Sequence, residues 1–217
     1  MTPDSPSNTD TQTQASTWLK PSQVHDLRSA AHSDRFERYL RDRNEVIVAL
    51  LYDTGLRVAE LVALDVDLLE LDDETPHLVL PGDIQKQYPT ENTAPRTVRM
   101  ELARDRDTAD TVTRLKSYLS NRWRDSPALF PSRQSDRMTT ESVRNVVRAL
   151  ATEAGIRPQT NEGTGEPSDV TPHTLRHSVA YRMLHVESGY TMYDARNRLR
   201  HRSILTTERV YDHFEMV

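Results

Sequence analysis

Cysteine is absent from the 217 residues, which removes disulfides, thiolate metal sites and cysteine nucleophiles from consideration. Long apolar runs are absent as well. Nothing approaches the roughly eighteen apolar residues that cross a bilayer, and the polar residues 1–16 lack the charged-then-apolar pattern of a secretory signal. A soluble, cytoplasmic protein without membrane attachment is the expectation. Surplus positive charge is also missing: the formal net charge is −5, which counts mildly against a nucleic-acid partner, because such proteins usually displace counterions from phosphate with extra Lys and Arg. Lysine is scarce, occurring only at Lys20, Lys86 and Lys116, so nearly all the basic residues are Arg. That skew points back toward phosphate, since the planar guanidinium fork matches phosphate oxygens. The many Asp and Glu are expected on other faces, as in a salt-rich cytoplasm.

The length is sufficient for one substantial domain with its own core. Residues 1–16 are rich in Ser, Thr, Asn, Asp and Gln and nearly devoid of apolar side chains, so they cannot offset their ordering entropy and are expected to form a disordered tail. The domain is expected over 17–217. Pro21 opens a short helix running to 31, and an amphipathic stretch over 35–52 ends at Gly55, a natural C-cap. Residues 57–64 give another turn or two of helix. Alternation in 77–80 and 97–102 predicts two antiparallel strands joined by a polar loop that carries Lys86.

Helical signals return over 107–123 and over 141–154, the latter capped by Thr139 or Thr140 and stopped by Gly155. A polar loop is expected over 157–169. Thr171-Pro172 then opens a helix to about 186, stopping at Gly189, and short helices follow over 192–199 and 204–213. No internal repeat is visible. The fold class is mainly α with a small antiparallel β-sheet, an α+β arrangement.

Three segments carry the chemistry. Residues 54–61 read Thr-Gly-Leu-Arg-Val-Ala-Glu-Leu, residues 171–178 read Thr-Pro-His-Thr-Leu-Arg-His-Ser, and residues 199–213 contain His201 and Tyr211. Two arginines from distant segments can clamp both non-bridging oxygens of one phosphate with charge-assisted bonds, stabilising a phosphoryl-transfer transition state. A phenol ionises near 10, roughly three units above neutrality, so a tyrosine nucleophile needs a proton acceptor and an electropositive setting. His173 and His177 stand four apart, a spacing that can hold a metal, but no third ligand stands at a matching interval. Tyr181, Tyr190 and Tyr193 read as core or surface aromatics.

Taken together, the three segments resemble the tyrosine recombinase (phage integrase) family, and the resemblance extends from about Trp18 to the end of the chain. It implies the family's catalytic-domain fold, and it implies roles. Arg57, in the Gly-Leu-Arg-x-x-Glu-Leu box, resembles the first phosphate-clamping arginine, with Glu60 as acidic support. His173 and Arg176, in the His-x-Leu-Arg-His box, resemble the acid/base histidine and the second clamp. His201 resembles a phosphate hydrogen-bond donor and Tyr211 the nucleophile, with Val210 as the competing occupant of that position. Lys86 resembles the β-hairpin lysine that protonates the departing 5′-hydroxyl.

The implied activity is site-specific cleavage and rejoining of double-stranded DNA through a 3′-phosphotyrosyl link, with self-association on DNA and without ATP, metal or other cofactor. Two alternatives stay open: a catalytically impaired DNA-binding or regulatory remnant, and a relaxing enzyme of the type IB topoisomerase kind. The chain departs from the family pattern in three respects. Arg200 stands where Gly is usual, placing a side chain where backbone is expected to approach phosphate. His201 and Tyr211 are ten positions apart, one more than usual, and one residue turns a helical side chain by about 100°. The family's N-terminal DNA-clamping domain is not expected within these residues.

Overall fold

The computed structural model describes residues 17–86, 95–104, 110–201 and 203–211. The expected tail over 1–16 lies outside the described residues. Helix α1 (Pro21–Ala30) starts with Pro at its first turn, and α2 (Arg38–Thr54) follows as the central element. From Val46 to Leu51 the side chains of α2 are buried on every face, the pattern of a helix surrounded by packing partners. Those partners are α1, α4 (Thr111–Ser120), α5 (Thr140–Glu153) and α6 (Pro172–Tyr181). Asp110 caps α4 and Thr139 caps α5, each side chain accepting a backbone N–H from three residues ahead.

The short α3 (Val58–Ala63) leads through a 3₁₀ turn into β1 (Leu69–Glu70), which pairs antiparallel with β2 (His77–Leu80). Strand β3 (Val98–Glu101) pairs with the other edge of β2, Leu78 opposite Met100 and Leu80 opposite Val98. Leu78, Leu80 and Met100 point into the main core, which fixes the register because a one-residue slip would turn them to solvent. The base of the β2–β3 connection is drawn tight: the Gln85 side-chain amide donates to the carbonyls of Leu80 and Arg96, and a Cβ on Gly82 would lie 1.7 Å from the Pro95 carbonyl oxygen.

The C-terminal part comprises α6, a π-helical turn (Arg182–Val186), α7 (Met192–Leu199) and α8 (Ile204–Tyr211). These elements enclose a second, smaller cluster of Val179, Ala180, Met183, Ala195, Leu199 and Tyr211. Arg198 fastens α7 to the rest, donating to the Asp53 carboxylate at 2.8 Å and to the Glu101 carbonyl at 3.0 Å.

The mainly α architecture with a small antiparallel sheet matches the expectation from sequence. Two differences are local. Strand β1 joins the expected pair to give three strands, and 157–169, expected to be loop, holds a two-stranded hairpin of β4 (Gln159–Thr160) and β5 (Gly163–Thr164) plus a 3₁₀ turn. Both strands are two residues long and held by neighbours, Gln159 bridging to Trp18, so neither leaves a period in the sequence. Among the described residues no helix is long and apolar enough to cross a membrane.

Candidate active site

Gly55 begins the site. It caps α2 with φ of 64°, and a Cβ there would come within 2.5 Å of Leu199 Cδ2, so both the left-handed backbone and the close approach of α7 call for glycine. The turn delivers Arg57 to the N-terminus of α3, where its backbone N–H donates to Glu60 Oε2 at 2.8 Å and its Nη1 donates to Glu60 Oε1 at 3.0 Å. The Arg57 side chain is 24 % exposed and the Glu60 side chain 1 %. Burial alone would raise the Glu60 carboxyl, but Arg200 and Arg57 hold it below its ordinary value.

The second set rides on α6. Thr171 caps this helix by accepting from Thr174 N at 3.2 Å, and Pro172 supplies its first residue. His173, Arg176 and His177 then fall three and four positions apart on one face. Arg176 is buried, donating Nη1 to the Gly55 carbonyl and Nη2 to the Leu199 carbonyl. This one side chain therefore ties the α2–α3 turn, α6 and the end of α7 together. Burial, reinforced by Arg57, pulls its guanidinium down to about 9, where it still carries its charge at neutral pH.

The third set comes from the α7–α8 corner. His201 Nδ1 lies 3.0 Å from Thr207 Oγ1, and its ring stacks on Tyr211 with centroids 6.0 Å apart and planes 8° from parallel. Tyr211 is 1 % exposed and its hydroxyl lies 3.1 Å from His177 Nδ1. The His173 and His177 rings meet edge to face at 4.2 Å between centroids. Burial raises the Tyr211 phenol above its ordinary value, while Arg176 and Arg57 pull it back in part. Burial also lowers the imidazoles: His201 is pushed down to about 3, with Arg176 and Arg57 adding to the effect, and His173 is lowered by burial and the same two arginines. Both are neutral at pH 7 and able to exchange a proton or accept a hydrogen bond.

Arg57, His173, Arg176, His201 and Tyr211, read from three separated segments, thus converge. Helix α8 turns Tyr211 inward, and Val210 is only partly buried at the edge of the smaller cluster. The extra residue after His201 has not rotated the phenol away from the arginines. Lys86 is the last described residue on the β2 side of its connection, and residues 87–94 beyond it lie outside the described residues.

Two features differ from expectation. The imidazole nitrogen that meets the phenol hydroxyl is that of His177 rather than that of His173; the signal was its position one turn along the same helix face. Arg200, expected to crowd the backbone beside phosphate, instead directs its guanidinium inward to Glu60 Oε2 at 2.5 Å. Its backbone is left-handed, with φ of 54°, which accounts for the usual glycine at that position. Among the described residues no group of His, Asp and Glu is arranged to hold a metal ion.

Comparison with known proteins agrees with this geometry. The model of the Phage integrase family matches residues 17–216. Tyrosine recombinase XerC of Bifidobacterium longum (strain DJO10A) is 34 % identical over 173 residues, covering 79 % of this chain and 43 % of the relative. Tyrosine recombinase XerD of Mycobacterium leprae is 31 % identical over 182 residues, covering 84 % of this chain and 52 % of the relative. The chain spans about half the length of the curated relatives it matches. Among solved structures, the XerA recombinase superposes with a TM-score of 0.64 at 27 % identity, over 94 % of this chain and 62 % of that one. The XerH recombinase bound to its difH substrate, at 18 % identity and a TM-score of 0.68 over 94 % of this chain and 52 % of that one, shares the fold. With motifs, fold and side-chain geometry in agreement over nearly the whole chain, this protein belongs to the phage integrase family of tyrosine recombinases.

Proposed function

We propose that the protein cleaves and rejoins double-stranded DNA at specific sites through a covalent link between Tyr211 and a 3′-phosphate. The observation that carries this reading is the meeting of a buried phenol, two arginines and three histidines contributed by three distant segments. Arg57, Arg176 and His201 hold the non-bridging oxygens of the scissile phosphodiester. The Tyr211 oxygen forms a bond to phosphorus as the bond from phosphorus to the 5′-oxygen breaks. The phenol proton passes to the imidazole of His177, whose Nδ1 stands 3.1 Å from the hydroxyl, with His173 packed edge to face against that ring, and Lys86 delivers a proton to the departing 5′-oxygen. The phosphoryl linkage is conserved, so a second 5′-hydroxyl reverses the step on another strand. Recombination further requires protomers that assemble on two duplexes. That partnership, and a cytoplasmic location, belong to the same proposal.

One observation favours a second reading, a catalytically impaired DNA-binding remnant: the phenol is sealed from solvent against His177 and separated from His201 by one residue more than is usual. Incubation with fragmented DNA from the source organism, denaturation in SDS and sequencing of DNA still attached distinguishes the two. Attachment lost in Tyr211→Phe and kept in Tyr193→Phe establishes cleavage and gives the target sequence. DNA binding under native conditions without any adduct selects the remnant.

A further inference from the structure

Arg200 has the one positive φ found at a non-glycine position among the described residues, and a left-handed backbone disfavours any side chain with a Cβ. Its Nε is buried without a hydrogen-bond partner among the described residues, a second unfavourable feature. Glycine at this position would incur neither. The side chain must therefore contribute something that offsets both costs, and its contacts show what. Nη2 reaches Glu60 Oε2 at 2.5 Å, and Nη1 lies 3.0 Å from the Met100 sulfur and 3.3 Å from the Arg198 carbonyl. The Arg200 side chain is 8 % exposed and that of Glu60 1 %, so the pair is shielded from water.

Glu60 is also the carboxylate beside Arg57. A buried carboxylate with a single arginine tends to take the fork with both oxygens, which would close Arg57 to an incoming anion and cancel its charge. Here Oε2 is shared between Arg200 and the Arg57 backbone N–H, and only Oε1 receives the Arg57 guanidinium, through Nη1. With Arg57, Arg176 and Arg200 set against Glu60, the pocket carries two net positive charges; glycine at 200 would leave one. The additional charge stands beside a site where negative charge accumulates on phosphate oxygens during transfer, in a chain whose overall charge is negative.

We propose that Arg200 is a positioning residue of the phosphate pocket: by pairing with Glu60 it prevents that carboxylate from neutralising Arg57 and keeps the Arg57 fork open to phosphate. This rests on the reading that the pocket receives a DNA phosphate, so its test includes a probe that needs no DNA. In the full chain, inorganic phosphate binding is followed through the imidazole proton signals of His173 and His201, adduct formation is timed at saturating DNA, and the melting temperature of each variant is recorded. Arg200→Gln is expected to weaken phosphate binding and slow adduct formation by roughly tenfold each, and Arg200→Lys by about threefold, because lysine restores charge without the fork. Glu60→Gln combined with Arg200→Gln is expected to recover most of the loss, since removing the acid removes what Arg200 offsets. Wild-type phosphate affinity in Arg200→Gln overturns the proposal. So does a loss that follows melting temperature in every variant with no recovery in the double variant, which assigns Arg200 to fold stability alone, and so does a wild-type chain that binds no phosphate. Arg200-dependent phosphate binding in a wild-type chain that forms no adduct sustains the proposal and refutes DNA cleavage.

Discussion

The two clusters of buried side chains are built on different physics. Around the middle of α2 the core is apolar, with Val46, Ile47, Leu50 and Leu51 shielded on all sides and the buried polar groups, among them Arg43, Glu45 and Asp53, set toward the two ends of the helix; stability there comes from area removed from water. Around α6, α7 and α8 the apolar set is small, and beside it lie Arg176, His177, Glu60, Thr207 and the Arg200 side chain, all buried or nearly so. Burying charge is unfavourable unless every group finds partners. The first region positions the second, and the second retains charges that an apolar repacking would remove. That contrast is what a site for an anionic ligand requires: guanidinium groups held in place before the ligand arrives, with little water to screen them.

Substitutions should separate the two regions, and the largest effect falls on chemistry. Tyr211→Phe is expected to abolish covalent attachment to DNA while shifting the melting temperature little, since the hydroxyl contact with His177 is lost but the buried ring is kept. Attachment is read by SDS-resistant labelling. Arg176→Ala should act on both stability and function. It leaves the Gly55 and Leu199 carbonyls without their donor, and denaturant unfolding is expected to show a loss of about 3 kcal/mol, typical of breaking a buried charged network. Phosphate binding should disappear with it.

Leu50→Ala in the α2 core is expected to cost a similar amount, about 3 kcal/mol from lost burial and the cavity left behind, yet to leave phosphate affinity of the folded protein unchanged. A core substitution that altered phosphate affinity as strongly as Arg176→Ala would erase the distinction between the regions. The smallest effect at neutral pH is the one that grows as the pH falls. His201, pushed down to about 3 in the folded chain, and His173, also lowered, bind fewer protons than in the unfolded chain. Stability from this source is complete above the ordinary histidine value of about 6.5 and falls as the pH drops toward 3. His201→Gln should flatten that slope in denaturant titrations at a series of pH values, and inorganic phosphate should shift the loss to lower pH by favouring the protonated rings.

The sequence exposed the parts of this architecture that depend on periodicity and caps. Gly55, Thr139 and Thr171 mark helix ends that the structure places within a residue or so of expectation, and the alternation in 77–80 appears as β2. What it concealed was contact made by side chains across the fold. Nothing in the local pattern distinguishes His177 from a structural histidine until α8 lays Tyr211 against it. Arg200 read as an intrusion because sequence gives the backbone position and not the direction of the guanidinium, which Glu60, 140 residues earlier, determines. The two-residue strands β1, β4 and β5 are too short to show a period of two.

Peptide mapping of the DNA-linked protein tests the central claim most directly. After capture on DNA, nuclease trimming and trypsin digestion, the account predicts a nucleotide-bearing phosphate on the peptide that begins at Val210, with fragmentation placing it on Tyr211. The same adduct on Tyr190 or Tyr193, or a Val210 peptide without added mass in a population that has cleaved DNA, would contradict it.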